Sequence, residues 1–221
     1  GAGIIFFFAA VFDFKGLKEG KFSIIEPIFG IELPVTILLS IFIWNERPTL
    51  MQGLLMIAVF IGITFAVTIH HNRLHYHKRM LEKGVIFAGL ASVLMGISNF
   101  LIGVSSQQTS PLMAIWYTSG IIALLSFIHM CTTGELHNLF TEIKRHPMLI
   151  GTMTILDNAA WIFYAFAMTL IPISLATTIS ESYIALAVLL GLFINRDKLK
   201  KHQKLGVALA TTCVILLSST T

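Results

Sequence analysis

Polar and apolar positions in this chain segregate into blocks. Long apolar runs occupy 1–12, 24–44, 50–70, 84–104, 111–131, 148–170, 172–194 and 203–219. Short polar connections separate most of them, and only Ile171-Pro172 parts the sixth run from the seventh. A helix crossing a bilayer needs about 20 mostly apolar residues, so the pattern predicts eight membrane spans. A buried soluble core imitates one or two such runs, hardly eight. The first run, GAGIIFFFAAVF, is too short to span and lacks an initiating Met. It reads as the remnant of an N-terminally truncated form, with no cleavable leader.

Composition agrees: 56% of the 221 residues are hydrophobic and 12% are charged, with a mean hydropathy of +0.84. Soluble domains carry about 25% charged residues. The net charge of +4 invites a nucleic-acid reading, but charge placement gives a better one. Lys15, Lys18 and Lys21 follow the first run; Arg73, Lys78, Arg79 and Lys83 follow the third; Lys144 and Arg145 the fifth; Arg196, Lys198, Lys200, Lys201 and Lys204 the seventh. Only Arg47 lies on the other side. The positive-inside bias places the basic connections in the cytoplasm and the C-terminal SSTT outside. The charge is a topology signal, and no nucleic-acid partner is expected. Cys131 and Cys213 lie in apolar runs and say little about redox compartment.

A shift of 151 residues lays SIIEPIFGIELPVTILLSIFIWNERPTLMQGL on SLATTISESYIALAVLLGLFINRDKLKKHQKL without a gap. Ser23 meets Ser174, Glu46 meets Asp197 and Gln52 meets Gln203, and Ile4/Ile155, Ala9/Ala160 and Phe12/Phe163 extend the frame upstream. The second and seventh spans are an odd number apart, so they cross the membrane in opposite directions. Inverted repeats of this kind build many secondary transporters, with the site near mid-membrane where the halves meet. The division reads as 1–72, the last three spans of one repeat, and 84–219, a complete five-span repeat. Two further spans are then expected before Gly1.

The stretches LSIFIWNERPTLMQGLLMIAVFIGITFAV and LAVLLGLFINRDKLKKHQKLGVALATTCVILLS resemble the closing helices of each half of an EamA-type transporter of the drug/metabolite transporter superfamily. The shared pattern is a small-residue-rich span, an acid in the turn, a Gln, then a Gly-rich span. Here it reads Glu46, Gln52 and Gly53, then Asp197, Gln203 and Gly206. The resemblance implies an all-α fold of ten helices in two inverted five-helix repeats, of which spans three to ten are present. It also implies a multi-pass protein of the plasma (inner) membrane that moves a small organic metabolite or drug, by efflux or exchange. The family's usual topology puts both termini in the cytoplasm, against the charge count here.

An acid at mid-bilayer costs about 2.5–3.5 kcal/mol on insertion scales, so such residues are functional candidates by default. Glu32, Asp157 and Glu181 each lie about ten residues into their spans, and Glu26 lies nearer an end; no Lys or Arg reaches comparable depth. An acid-only midplane suits a proton relay or a cationic ligand better than an anionic one. Small multidrug transporters of the same superfamily couple drug and proton at a membrane glutamate, although no motif matches that residue to a position here. Thr177 and Thr178 precede Glu181 by one turn and extend its polar stripe, as a cavity wall would. Trp161 and Asn158 accompany Asp157, and an aromatic face beside an acid can hold a cation. Glu32 lies between Pro27 and Pro34, and proline breaks a helix. The 151-residue shift places Gly30 opposite Glu181 and Tyr183 opposite Glu32. Asn99 and Tyr183 complete the candidate site. The competing readings are a protonated Glu181 hydrogen-bonded to a neighbouring helix, an interfacial or packing Trp161 beside Asp157, a hinge at Glu32 whose acids face a polar crevice, and a Glu26 that reaches headgroup water.

Gly89, Gly96 and Gly103 recur every seven residues and predict one smooth face for close helix packing. Trp116 and Tyr117 suit a cavity wall or an interfacial belt, and Glu46 and Asp197 suit helix capping. HHNRLHYH at 70–77 places His71 and His75 one turn apart, a spacing that can hold a metal. A membrane His-cluster metalloenzyme is therefore the rival reading, and an inactive truncated transporter is another. Membrane metalloenzymes need several such boxes, so a basic loop accounts better for this one. No phosphate-binding Gly-rich loop or Ser/His/Asp set appears. No cofactor, resident metal or enzymatic activity is expected; the expected partners are a small solute, protons and the bilayer.

Overall fold

The computed structural model describes residues 1–20, 22–67, 78–194 and 200–220, and among them every regular element is helical. In chain order these are α1 (Ala2–Glu19), α2 (Phe22–Phe29), α3 (Glu32–Phe42), α4 (Leu50–Val67), α5 (Lys78–Gln108) and α6 (Pro111–Thr133). There follow α7 (Leu136–Arg145), α8 (Pro147–Leu170), α9 (Ile173–Glu181), α10 (Tyr183–Ile194) and α11 (Lys201–Ser218). Four of them, α4, the 83–108 part of α5, α6 and α8, are long and apolar enough to cross a membrane. Large apolar side chains such as Leu50, Ile155, Phe163 and Leu170 are more than 70% exposed. In water such a surface would mark an interaction site, and here it is the surface that faces lipid.

Two predicted spans are not continuous helices. The 24–44 run divides into α2 and α3 at Gly30-Ile31. Pro34 has no N–H to bond the Gly30 carbonyl, and the Leu33 amide takes that oxygen instead, at 3.3 Å. The 172–194 run, expected as one helix, divides into α9 and α10 at Ser182 without help from Pro or Gly. There the Ser182 amide and hydroxyl both donate to the Ile179 carbonyl, at 3.2 and 2.6 Å. Side-chain back-bonding of this kind competes with the helical ladder.

Small residues decide which helices touch. A Cβ on Gly206 would lie 2.6 Å from the Ala66 amide and the Gly62 carbonyl, so α4 and α11 meet backbone to backbone. Their ends are tied crosswise. Gln203 donates to the Ala66 carbonyl at 3.3 Å and Gln52 to the Thr220 carbonyl at 3.2 Å, which makes the pair antiparallel. Val59, Ile63, Ala185, Ala210 and Cys213 fill the core between α4, α10 and α11. Of the glycines on α5, Gly96 lies against the Glu32 carbonyl and Val35, and Gly103 against Ile173 and Met168. Gly89 departs from the expected face, since a Cβ there would meet nothing within 4 Å. At that end α5 packs along 84, 88 and 92 instead. Gly84 faces Gly20, Ala88 faces Gly16, and the Ser92 hydroxyl donates to the Ile28 carbonyl at 2.9 Å.

Glu46, in the turn after α3, caps a distant helix. Its carboxylate accepts from the Ile173 amide at 2.5 Å, the Ser174 amide at 3.0 Å and the Ser174 hydroxyl at 2.6 Å. These are amides at the start of α9, which helix geometry leaves without internal partners. The acid also lies at the positive end of the helix dipole. α9 is thereby held against α3, with which it packs.

Candidate functional site

A cavity of about 400 Å³ opens where the interrupted helices meet α5 and α8. α3 supplies Glu32, α5 supplies Met95 and Asn99, and α8 supplies Asp157, Ala160, Trp161 and Tyr164. Ser180 and Glu181 come from the last turn of α9, and Tyr183 from the first residue of α10. The break at Ser182 thus puts both sides of the interruption on the cavity wall.

The side chains of Glu181 and Glu32 come together on this wall and interact. An ionised carboxylate only accepts, so a hydrogen bond between these two acids requires one of them to carry a proton. Asn99 is buried, with its side-chain oxygen unpartnered. No basic residue lines this cavity or the two beside it, among the described residues. What the wall offers is carboxyl groups, amide and hydroxyl groups and aromatic faces. Such a wall can hold a proton, or a positively charged nitrogen able to donate hydrogen bonds.

Six predicted residues, Glu32, Asn99, Asp157, Trp161, Glu181 and Tyr183, line this one cavity. Asn158 faces a second cavity of about 320 Å³, which shares Asp157 and Trp161 with the first and is otherwise walled mainly by α6. The Asn158 amide donates to the Thr154 carbonyl at 2.8 Å. The side chain of Glu26 lies outside the described residues, as do Asp197 and the His cluster at 70–77. No group of three or more metal-binding side chains occurs among the described residues.

The polar stripe ahead of Glu181 is not a wall. Thr177 and Thr178 are fully buried; Thr177 pairs with the Tyr164 hydroxyl at 2.8 Å, and Thr178 donates to the Ser174 carbonyl at 2.7 Å. The first turns of α9 are packed inside the bundle, and the cavity begins only at Ser180. Trp116 and Tyr117 are exposed on α6 and line none of the three cavities.

Tyr164 and Asp13 are among the lining residues that escape the sequence reading. Tyr164 packs edge-on against Trp161, with ring centroids 5.7 Å apart. Its spacing of seven from Asp157 puts both on one face of α8, a signal that was available. Asp13 lines a third cavity of about 170 Å³ that shares Glu32, Met95 and Tyr183 with the first. It sits one residue beyond the run assigned to the first span, and α1 continues past it to Glu19.

Interrupted apolar helices closing on an acid-lined cavity define a helical, multi-pass integral membrane protein. The model of the EamA-like transporter family matches residues 82–219, more than half of the chain. The chain belongs to the EamA-like transporter family. One solved crystal structure aligns with 99% of this chain and 74% of its own, at TM-score 0.72 and 14% identity, a likeness that shows the fold alone. No curated protein matches significantly.

Proposed function

We propose that the protein is a secondary transporter that moves a small organic solute across the plasma membrane by alternating access, with Glu181 and Glu32 as its coupling site. The observation that carries this is the contact of the two acids where two broken helices meet. Half-helices that end inside a membrane protein typically flank a substrate or ion site. A shared acid couples two ligands because a proton and a solute's positive group compete for the same oxygens, and each must leave before the other binds.

The inverted-repeat reading is part of the proposal, with 1–72 contributing three spans and 84–219 five. The 151-residue shift maps Ile31 onto Ser182, so both interruptions fall at the same point of the two units. It also maps the Thr49–Gln52 capping pair onto Lys200–Gln203. In each unit the Gln oxygen accepts from the amide three residues earlier, at 2.9 and 3.0 Å. The basic connections are assigned to the cytoplasm on the positive-inside bias. Efflux is the direction inferred from the family, and Asp157, Trp161, Asn158, Asn99, Tyr183 and Glu26 are assigned to the solute path.

The test is proton-coupled flux in vesicles. With the native chain, a gradient of a transported solute moves protons. Glu181→Gln abolishes that movement while the chain still inserts and folds, and undiminished coupling in that variant would overturn the assignment.

A further inference from the structure

The connection between α6 and α8 is itself a helix, and its sequence, LHNLFTEIKR, divides cleanly by face. Leu136, Leu139, Phe140 and Ile143 follow the spacing i, i+3, i+4, i+7, an apolar arc about 100° wide. His137, Asn138, Thr141, Glu142, Lys144 and Arg145 occupy the rest of the circumference. None of these ten residues is buried. Leu139, Phe140 and Ile143 are 39%, 60% and 38% exposed, and the helix packs against α8.

Its tethers leave it little freedom. Gly134, with φ of 75°, turns the chain sharply at the end of α6, and Glu135 leads into α7. At the other end only His146 separates α7 from Pro147, the first residue of α8. Both neighbours are long apolar helices, so α7 is held at the level where they leave the bilayer. The apolar side chains near those ends, Phe127 and Ile128 on α6 and Met148 and Leu149 on α8, are also exposed and continue the lipid-facing band. Lys144 and Arg145 close the last turn of α7, where cations complement the helix dipole and can meet anionic headgroups.

We infer that α7 lies in the membrane interface, with Leu136, Leu139, Phe140 and Ile143 among the acyl chains and Lys144 and Arg145 on anionic headgroups. The occupant of its apolar face is the lipid surface. A short amphipathic helix with a narrow apolar stripe and a basic polar face is suited to that position. So placed, it anchors the start of α8, the helix that carries Asp157 and Trp161.

Nitroxide labels at each position from 136 to 145 test this, in the full chain with Cys131→Ser and Cys213→Ala, reconstituted into phosphatidylcholine–phosphatidylglycerol vesicles. Labels at 136, 139, 140 and 143 should collide with oxygen and be shielded from a water-soluble nickel chelate, and labels at 138, 141 and 145 should show the reverse. Equal chelate access all round would put α7 in water and overturn the inference. Immobilised labels on the apolar arc, shielded from both reagents, would show a protein partner, a second copy or another part of the chain, and would overturn it too. A Phe140→Trp variant gives a second reading without labels. Its added emission should be quenched by lipids brominated near the headgroup, and emission untouched by such lipids would contradict the assignment.

Discussion

Glu32 and Glu181 meet on the wall of one cavity and interact there, although 149 positions separate them in the chain. Glu32 is the first residue of α3 and Glu181 the last of α9. Glu32→Gln should preserve the contact, because an amide can donate to the Glu181 carboxylate, but it removes the exchangeable proton. The variant is expected to melt in detergent with the native profile while losing proton-coupled flux. A variant that unfolds would assign Glu32 to structure instead.

Asn99 separates a ligand-binding role from a structural one. Its buried oxygen has no partner, so Asn99→Leu gives up no protein hydrogen bond at that atom and removes a polar group whose burial is uncompensated. Stability should hold or rise. Flux should fall at least about tenfold if the amide serves the solute, since a hydrogen bond to a charged group is worth about 1.5–3 kcal/mol. Flux at the native level would remove Asn99 from the path.

Glu46 is predicted to matter for stability and not for chemistry. Its carboxylate takes three hydrogen bonds at the start of α9. Glu46→Ala leaves those amides without their partner and should cost about 2–3 kcal/mol, measured by denaturation in mixed micelles. Glu46→Gln, which keeps an acceptor, should lose less. Equal stability of Glu46→Ala and the native chain would refute the capping role.

The α4–α11 crossing makes a glycine prediction with an internal control. Gly206→Ala places a Cβ 2.6 Å from backbone atoms of α4 and should force the helices apart, with a loss of about 1–3 kcal/mol. Gly89→Ala meets nothing within 4 Å and should be neutral or stabilising by up to about 1 kcal/mol. The same denaturation assay ranks the two, and equal effects would contradict the close crossing.

Much of this architecture was legible because a bilayer imposes long apolar runs that no soluble fold needs. The mid-run acids were legible for the same reason: Glu32, Asp157 and Glu181 stand out only against a background that should exclude them. What the sequence withheld depends on distant partners. Pro27, Gly30 and Pro34 announce the α2–α3 break, but TTISESYI carries no breaker, and Ser182 interrupts its helix through its own hydroxyl. The sequence pattern puts Thr177 on the wall beside Glu181, because spacing along a helix does not reveal that the Tyr164 hydroxyl pairs with it. The role of Glu46 as a cap was readable, but not which helix it caps, 127 residues away. In the sequence pattern 136–145 is a basic connection marked by Lys144 and Arg145, although its apolar arc is already present there at helical spacing.

The most direct test of the central claim is proton movement in proteoliposomes containing a trapped pH dye. Gradients of small organic amines and amino acids are imposed in turn, and the native chain is compared with Glu181→Gln at equal reconstituted protein. The native chain should move protons against at least one of these solutes, and Glu181→Gln should move none, with its insertion and melting profile unchanged. Proton movement in Glu181→Gln equal to that of the native chain would show that the acid pair at the helix breaks is not the coupling site.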